Sequence, residues 1–351
     1  MMPRSWRGMI EGVALASGAI ALVVVMVLTG LALMGHAPMT VLATWFAGAA
    51  GNGVRLAMSL QEAGPLLLTG LAAAVAFRCG VWNIGAEGQF LLGAVAMVGF
   101  GTVLLPPGPG WLILPFVLLL SASVGASWAL LATGLERWRG VPVVLSTILL
   151  NFIAIAVVGM LVQGPLHDVS TTAPQTALIA EHLRLPVLID GSRLHIGVVI
   201  AVILAFALWL AWRRTTVGFE VQVVGLNPIA ARLAGMPVAA RQIVIMGLSG
   251  GLAGLAGALH VAGVTGMLSG APVSYGYAGI AVAMLGRLHP LGIIAAAIFM
   301  GMLSTGARNL ERRLAIPHDL GDVVQGLVVL AVLVGAGIAA RRALRPQAEG
   351  A

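Results

Sequence analysis

The chain has 351 residues, of which 60% are hydrophobic and only 9% charged, and its formal net charge is +7. Soluble globular domains are about a quarter charged, so this composition excludes an ordinary soluble domain. The sequence contains no lysine, which excludes a Walker A phosphate loop and a pyridoxal Schiff base. Its single cysteine, Cys79, allows no internal disulfide, and no Cys/His cluster has metal-ligand spacing.

Four long stretches of the sequence contain no Asp, Glu or Arg, namely 12–54, 88–135, 140–167 and 242–286. A membrane-spanning helix needs about 20 apolar residues, so several of these stretches can hold two helices. Open sheets cannot satisfy their backbone edges in lipid. The sequence therefore predicts an all-α, polytopic integral membrane protein that forms a single transmembrane domain over 1–351 and has the lipid bilayer as its partner.

We expect about ten membrane segments, at 12–35, 62–77, 84–105, 111–135, 141–163, 194–212, 242–264, 274–287, 290–307 and 321–340. The second and eighth segments are short for full spans. The first apolar run is too long for the core of a signal peptide, so we expect a retained span. Residues 36–61 are rich in glycine and broken by Pro38, which predicts a segment at the outer interface.

The arginines are scattered between apolar segments, so the positive charge indicates membrane orientation rather than a nucleic-acid partner. The positive-inside rule predicts that both termini and the loop 213–241 face the cytoplasm. The arginines then expected inside are Arg4, Arg7, Arg78, Arg137, Arg139, Arg213, Arg214, Arg232, Arg241, Arg287, Arg341, Arg342 and Arg345. The remaining six lie outside, and the cluster 308–313 fits this orientation poorly. The external loop 164–195 is either a solvated connector or a docking face.

The motif CGVWNIGAEGQFLLG places Asn83, Glu87 and Gln89 among glycines at the start of an apolar block. A charged side chain at the centre of a span costs about 2.5–3.5 kcal/mol on insertion scales, and such groups are by default functional candidates. Two interpretations are open. The three side chains form a polar patch on a translocation path, or Glu87 and Asn83 cap a helix end near the cytoplasmic interface beside Arg78.

Between its arginines, the loop 213–241 contains a short helix with both ends marked. Asn227 is a good N-cap and Pro228 fits the first helical position. Gly235 can adopt the left-handed conformation after the helix, and Pro237 prevents continuation. Two turns of helix are marginal in water. The pattern therefore predicts that another protein packs on this helix from the cytoplasmic side.

Glycines four residues apart in 247–263 predict a close helix crossing. We interpret His260 within this stretch as a hydrogen-bonded packing residue rather than a proton relay. Trp82, Tyr275 and Tyr277 offer aromatic surfaces for stacking a base or a sugar face. Anchoring at the membrane interface is the simpler interpretation of these rings.

Three segments of the sequence resemble permease subunits of ABC importers: RCGVWNIGAEGQFLLGA, GFEVQVVGLNPIAARLAGMPVAARQIVIMGLSGGLAGLAGAL and GYAGIAVAMLGRLHPLGIIAAAIFMG. The resemblance covers roughly 64–335 and points to the simple-sugar and nucleoside branch, related to ribose and branched-chain amino-acid permeases. It implies the type II importer permease fold and a place in the cell inner membrane. It also implies three partners: an ABC ATPase subunit, a second permease subunit, paralogous or identical, and an extracytoplasmic substrate-binding protein. ATP and magnesium are expected on the ATPase, with no cofactor on this chain.

The resemblance also assigns the short helix in 213–241 to ATPase coupling. The EAA loop of such importers has two alanines, three further residues and a glycine, which Ala230, Ala231 and Gly235 match. Ile229 stands where the motif has glutamate, and the later Leu-Pro is missing, so the ATPase contacts differ in detail. The candidate coupling residues are Asn227, Pro228, Ala230, Ala231, Arg232 and Gly235.

The sequence thus predicts half of a pathway for inward transport of nucleosides or simple sugars, rather than an enzyme. The candidate pathway residues are Asn83, Glu87, Gln89 and Tyr275; no catalytic or metal-binding residue is expected. One alternative is a permease for another small solute, such as branched-chain amino acids. A stand-alone ion-coupled transporter would need paired ionisable groups at mid-membrane. Apart from groups at the outermost positions of a segment, only Glu87 and His260 lie within predicted spans. A membrane-embedded enzyme lacks a nucleophile–base pair.

Overall fold

The computed structural model describes residues 18, 21–104, 108–269, 274–317, 320–321, 323–331 and 334. Within these residues the regular structure is helical, and β-pairing is limited to isolated bridges that all involve the loop 164–195. The predicted all-α, polytopic class is therefore confirmed.

The α-helices are numbered in chain order. They are α1 (Ala21–Leu33), α2 (Pro38–Ala50), α3 (Gly53–Arg78), α4 (Ala86–Gly99), α5 (Gly110–Arg139), α6 (Val143–Gln163), α7 (Ile196–Arg214), α8 (Thr216–Leu226), α9 (Pro228–Leu233), α10 (Val238–His260), α11 (Tyr275–Leu285) and α12 (Pro290–Leu314). The π-helical turns Phe100–Leu104 and Val261–Thr265 extend α4 and α10, and Glu181–Leu183 forms a 3₁₀ turn. Residues 320–321 and 323–331 are also helical.

Seven of the described helices are long and apolar enough to cross a bilayer: α3, α4, α5, α6, α7, α10 and α12. The pair α1 and α2 would make an eighth span, although it is bent by 118°. Helix α11 has 11 residues and is about 16 Å long, half of the roughly 30 Å of hydrocarbon. The segment 274–287 is therefore not a full span, and the predicted count of ten is approximate. The predicted spans 12–35 and 321–340 lie partly outside the described residues.

Helix α3 begins earlier than the sequence predicted. It has 26 residues, whereas the prediction placed this segment at 62–77. The interfacial segment expected at 36–61 is divided between α2 and the first turns of α3. The glycines and Pro38 predicted an interface over 36–61, whereas Pro38 begins α2 and residues 53–61 belong to the continuous α3.

The chain forms two compact units, Met1–Ser59 with Met302–Ala351 and Leu60–Gly301. In the first unit, Leu31, Val41 and Ile316 form a buried apolar cluster. The Asn309 side chain of this unit donates from Nδ2 to the carbonyl oxygen of Thr44 at 2.7 Å. The buried Asn309 amide thereby has a hydrogen-bond partner.

In the second unit, α4, α5 and α10 pack closely through glycines. A Cβ added at Gly254 of α10 would lie 2.8 Å from the carbonyl oxygen of Ser121 on α5. A Cβ added at Gly257 would collide with the carbonyl oxygen of Phe90 on α4. Small residues allow helix backbones to approach this closely, so the packing face predicted within 247–263 is confirmed.

Several arginines that were predicted to lie on the same side of the membrane lie at one end of the second unit. At the end of α3, Arg78 lies over the Trp212 ring of α7, with 4.4 Å to the ring centroid. At the end of α5, Arg137 donates to a backbone carbonyl at the start of α10, at 2.7 Å. Arg241 of α10 pairs with Glu220 of α8. We call this the arginine-rich end.

The loop 164–195 lies at the other end of α10. Its Thr176 N–H donates to the carbonyl oxygen of Leu268 at 2.9 Å, and its Leu185 N–H donates to that of Ala262 at 3.0 Å. These bonds tie the loop to the chain that follows α10. The loop is thus an ordered connector in the second unit, and its role as a docking face stays a prediction.

Candidate functional site

The segment 79–85 between α3 and α4 is not helical, yet it lies inside the depth of the spans. The Asn83 Nδ2 donates to Ser249 Oγ of α10 at 2.8 Å, and Ser249 Oγ donates to the Ala72 carbonyl of α3 at 2.6 Å. Ala72 lies about 9 Å from the end of α3 and Ser249 about 16 Å from the start of α10, at 1.5 Å per residue. The segment therefore enters the membrane-spanning region from the arginine-rich end.

Asn83 and Gln89 form a closed amide pair in this region, and both are buried. The Oδ1 of Asn83 accepts from the Gly85 N–H at 2.9 Å and from Gln89 Nε2 at 3.0 Å. Its Nδ2 donates to Gln89 Oε1 at 2.9 Å as well as to Ser249. These contacts describe a structural role that fixes the path of 79–85. A direct role of the two amides in the pathway stays a prediction.

A double-mutant cycle should reveal this pairing. We expect Asn83→Leu to destabilise the protein by about 1–3 kcal/mol, because it leaves the buried Gln89 amide without its partner. Adding Gln89→Leu should cost little more, since removing both partners also removes the unsatisfied group. Thermal unfolding of the purified protein measures the two single variants, Asn83→Leu and Gln89→Leu, and the double variant. Strictly additive losses would show that the two amides are not coupled.

Glu87 lies in the first turn of α4 and joins it to the start of α11. Its Oε2 accepts from the Gly276 N–H at 2.7 Å, and the Tyr277 N–H also bonds to this carboxyl group. The Thr69 hydroxyl of α3 donates to the Tyr275 carbonyl at 3.0 Å. The N-terminus of α4 and the N-terminus of α11 thus lie next to each other inside the second unit. Glu87 caps a helix, as one interpretation expected, but the helix is α11.

Asn151 of α6 bonds to both α4 and α11 at this junction. It is not among the residues predicted from the sequence. Its Nδ2 donates to the Ile84 carbonyl at 2.9 Å and to the Tyr277 hydroxyl at 3.2 Å. Its Oδ1 accepts from the Gly88 N–H at 2.9 Å. A buried amide is costly in the apolar span Val143–Gln163. An amide in the middle of this apolar span was therefore the sequence feature that could have identified Asn151.

Tyr275 lies at the start of α11 among side chains of three other helices. Its hydroxyl donates to Glu62 Oε2 at 2.9 Å. Its ring centroid lies 5.6 Å from that of Phe90 and 5.0 Å from that of His260. His260 therefore packs as expected, although its Nδ1 has no hydrogen-bond partner in the described part of the chain. A role of Tyr275 in the pathway stays a prediction.

Burial shifts the pKa of His195, which lies just before the span α7. Burial, and then the charge of His260, lower the pKa of His195 to about 4. A neutral His195 can accept a hydrogen bond, and its Nδ1 accepts from the Gly197 N–H at 3.1 Å. His195 thereby caps the start of α7.

The cytoplasmic loop predicted at 213–241 contains α8 and α9, and the predicted ends of α9 are confirmed. The Asn227 Oδ1 accepts from the N–H groups of Ile229 and Ala230 at 3.1 and 3.0 Å. Pro228 is the first helical residue. Gly235 has a φ of 79°, in the left-handed region that favours glycine.

Helix α9 has one buried and one exposed side. Ala231 is fully buried, whereas Arg232 is exposed. Ile229 and Leu233 lie four residues apart, on one helical face, and are 70% and 85% exposed. Leu226, at the end of α8, is also exposed. We call these three exposed apolar side chains, Leu226, Ile229 and Leu233, the α9 face.

Comparison with known proteins identifies the family. The model described as "Branched-chain amino acid transport system / permease component" matches residues 55–333. The chain is 36% identical over 281 residues to the guanosine ABC transporter permease protein NupP of Bacillus subtilis, covering 78% of this chain and 79% of that protein. It is 32% identical over 299 residues to the nucleoside ABC transporter permease protein NupB of Lactococcus lactis, covering 82% of each. It is 33% identical over 282 residues to the glucose ABC transporter permease protein TsgB13 of Haloferax volcanii, covering 77% and 74%. The chain therefore belongs to this family of permease components and is a membrane transport subunit rather than an enzyme.

Proposed function

We propose that this chain forms half of the transmembrane pathway of an ABC importer and moves nucleosides or simple sugars inward. Family membership supports the permease role. The names of its relatives, which specify guanosine, nucleosides and glucose, support the substrate class. Two of these three names specify nucleosides, so we place nucleosides first.

The α9 face is the observation that carries the mechanism. A helix of six residues does not persist alone in water, and exposed apolar patches typically mark sites of interaction. Because the chain has no lysine for a Walker A loop, ATP and magnesium bind to a separate ATPase subunit. That subunit docks on α9 through the face formed by Leu226, Ile229 and Leu233.

Contacts between helices provide a route from α9 to the interior. Helix α9 leads directly into α10, and Arg241 of α10 pairs with Glu220 of α8. Helix α10 packs against α4 and α5 and carries Ser249, which bonds to Asn83. Closure of the ATPase pushes on α9, shifts α10, and so changes the packing around 79–85.

The positive-inside rule supports a cytoplasmic position for the arginine-rich end, with both termini on that side of the inner membrane. The loop 164–195, at the opposite end of α10, then faces outward and receives substrate from a binding protein. A second permease subunit, either a paralogue or a second copy of this chain, completes the pathway. This arrangement uses the lipid bilayer as the surrounding medium and needs no nucleic acid.

The experiment that tests this function uses the double variant Ile229→Asp/Leu233→Asp in the complex with its ATPase, in proteoliposomes. We expect substrate-stimulated ATP hydrolysis to fall about tenfold or more, because charges on an apolar interface core weaken docking. Both side chains are exposed, so the fold should persist. Trp138→Asp, an apolar-to-acidic change at an exposed position of α5, is the matched control. Unchanged stimulation in the double variant would refute docking on the α9 face.

A further inference from the structure

The segment 79–85 has one buried and one outward side. Buried and outward side chains alternate along it from Val81 to Gly85. Trp82 is 53% exposed and Ile84 is half-buried. The alternate positions are buried, namely Val81, Asn83 and Gly85.

Tyr277 of α11 continues this outward side. It is 39% exposed, and its hydroxyl accepts from Asn151 Nδ2 at 3.2 Å. The same Nδ2 donates to the Ile84 carbonyl at 2.9 Å, so Asn151 holds Tyr277 beside the segment 79–85. We call Trp82, Ile84 and Tyr277 the aromatic strip.

The non-helical backbone that carries Trp82 and Ile84 makes lipid an unsuitable neighbour for the aromatic strip. Non-helical backbone at membrane depth is tolerated only where it is buried in protein or lines a water-filled cavity. The hydrogen bonds of Asn83 to Ser249 and through it to Ala72 place 79–85 at that depth. By contrast, the exposed Leu149 and Phe152 project from the regular helix α6, as lipid-facing residues do.

The polar chemistry of the strip favours water and substrate over a dry protein interface. The phenol of Tyr277 accepts a hydrogen bond from Asn151 and retains its own proton to donate. This hydroxyl of a partly exposed residue is therefore a hydrogen-bond donor for water or substrate. The neighbouring Trp82 packs against Phe77, with ring centroids 4.6 Å apart, which orients its indole.

We propose that the aromatic strip of Trp82, Ile84 and Tyr277 lines the translocation pathway and stacks against the planar base of a nucleoside. This inference rests on the proposed transport function and names the side chains that contact the substrate. Base–aromatic stacking tolerates different bases because every base has a π-face. Asn83, Glu87 and Gln89 then lie behind the strip and hold it in place, while Asn151 positions Tyr277.

Cysteine accessibility tests the location of the strip without requiring transport. The chain has one cysteine, so Cys79→Ser gives a background for Trp82→Cys and Tyr277→Cys. In the assembled complex in membranes, we expect a charged, membrane-impermeant methanethiosulfonate to label both at least about tenfold faster than Leu149→Cys, because only water-exposed thiols react. Excess guanosine should slow the labelling. Labelling as slow as that of Leu149→Cys would overturn the proposal.

Guanosine uptake by the complete transporter tests the role of the rings. We expect Trp82→Ala and Tyr277→Ala to lower Vmax/KM about tenfold, and Tyr277→Phe, which keeps the ring, to stay within about threefold. Trp138→Ala removes an exposed aromatic at a helix end and should match the wild type. Wild-type rates in both alanine variants would overturn the strip as a contact surface. If the wild-type complex moves glucose and not guanosine, the nucleobase assignment is wrong, whereas the labelling result still decides the location.

Discussion

Replacing Gly257 by valine is expected to prevent α4, α5 and α10 from packing together. A Cβ at this position would collide with the carbonyl oxygen of Phe90 and lie 2.9 Å from the backbone nitrogen of Ala94. Both are backbone atoms of α4 and cannot move aside as a flexible side chain would. Overpacking of a core typically costs about 1–3 kcal/mol even where side chains can adjust, and we expect a larger loss here.

Displacement of α10 would also open the polar network behind it. Ser249 lies two turns before Gly257 on the same helix and bonds to Asn83. If valine pushes α10 away from α4, this buried hydrogen bond is lost. The groups left unsatisfied then lower the free energy of unfolding by about 1–3 kcal/mol. The combined loss is a large part of the roughly 5–15 kcal/mol that stabilises a typical protein.

Gly247→Val is the matched control on the same helix. A Cβ at Gly247 would lie 3.7 Å from the nearest side-chain atoms of Leu130, an ordinary van der Waals contact. We expect this variant to stay within about 1 kcal/mol of the wild type, since valine and glycine differ little in helix propensity. Yield of monodisperse protein and the midpoint of thermal unfolding in detergent measure both variants. Equal midpoints would show that Gly257 does not define the helix crossing.

Local chemistry explains which parts of this fold the sequence predicts well. The ends of α9 follow from Asn227, Pro228 and Gly235, because caps and turns depend on a few adjacent residues. The glycine face of α10 follows from spacing along one helix. Both features were predicted at the correct positions, because each depends only on residues within or next to a single helix.

Helix lengths were less predictable, because lipid-compatible sequence is apolar whether or not a helix crosses the bilayer. The stretch 242–286 has no Asp, Glu or Arg, so its composition does not distinguish the spanning α10 from α11. Only the short predicted length of 274–287 indicated an incomplete span. The glycines and Pro38 of 36–61 led to an error, since they suggested an interface where α3 is already continuous from Gly53. Composition alone therefore located the apolar segments, misplaced the start of α3 and did not determine which segments cross the bilayer.

The partners of the polar motif could not be predicted, because they lie far away along the chain. Asn83 bonds to Ser249, 166 residues later, and Glu87 bonds to Gly276, 189 residues later. The sequence indicated that these side chains need partners at membrane depth, and it could not name them. Only the fold brings α4, α6, α10 and α11 to one junction.

The two interpretations of Glu87 make different predictions for Glu87→Ala and Glu87→Gln. Alanine removes the acceptor for the N–H groups of Gly276 and Tyr277. We expect a loss of about 1–3 kcal/mol for each unsatisfied donor. Glutamine keeps an acceptor oxygen at this position. It loses the interaction of a negative charge with the N-terminus of α11, which is worth about 0.3–2 kcal/mol.

Stability and uptake measured together separate a helix cap from a group that acts in transport. If Glu87 positions α11, thermal unfolding and guanosine uptake should both rank wild type above Glu87→Gln and Glu87→Gln above Glu87→Ala. Uptake by the glutamine variant should then stay within about threefold of the wild type, since Tyr277 keeps its place and the lost charge is a modest term. Glutamine that leaves the unfolding midpoint unchanged but abolishes uptake would contradict this. It would show that the carboxyl group of Glu87 takes part in moving the substrate, because a cap needs only an acceptor, and glutamine supplies one.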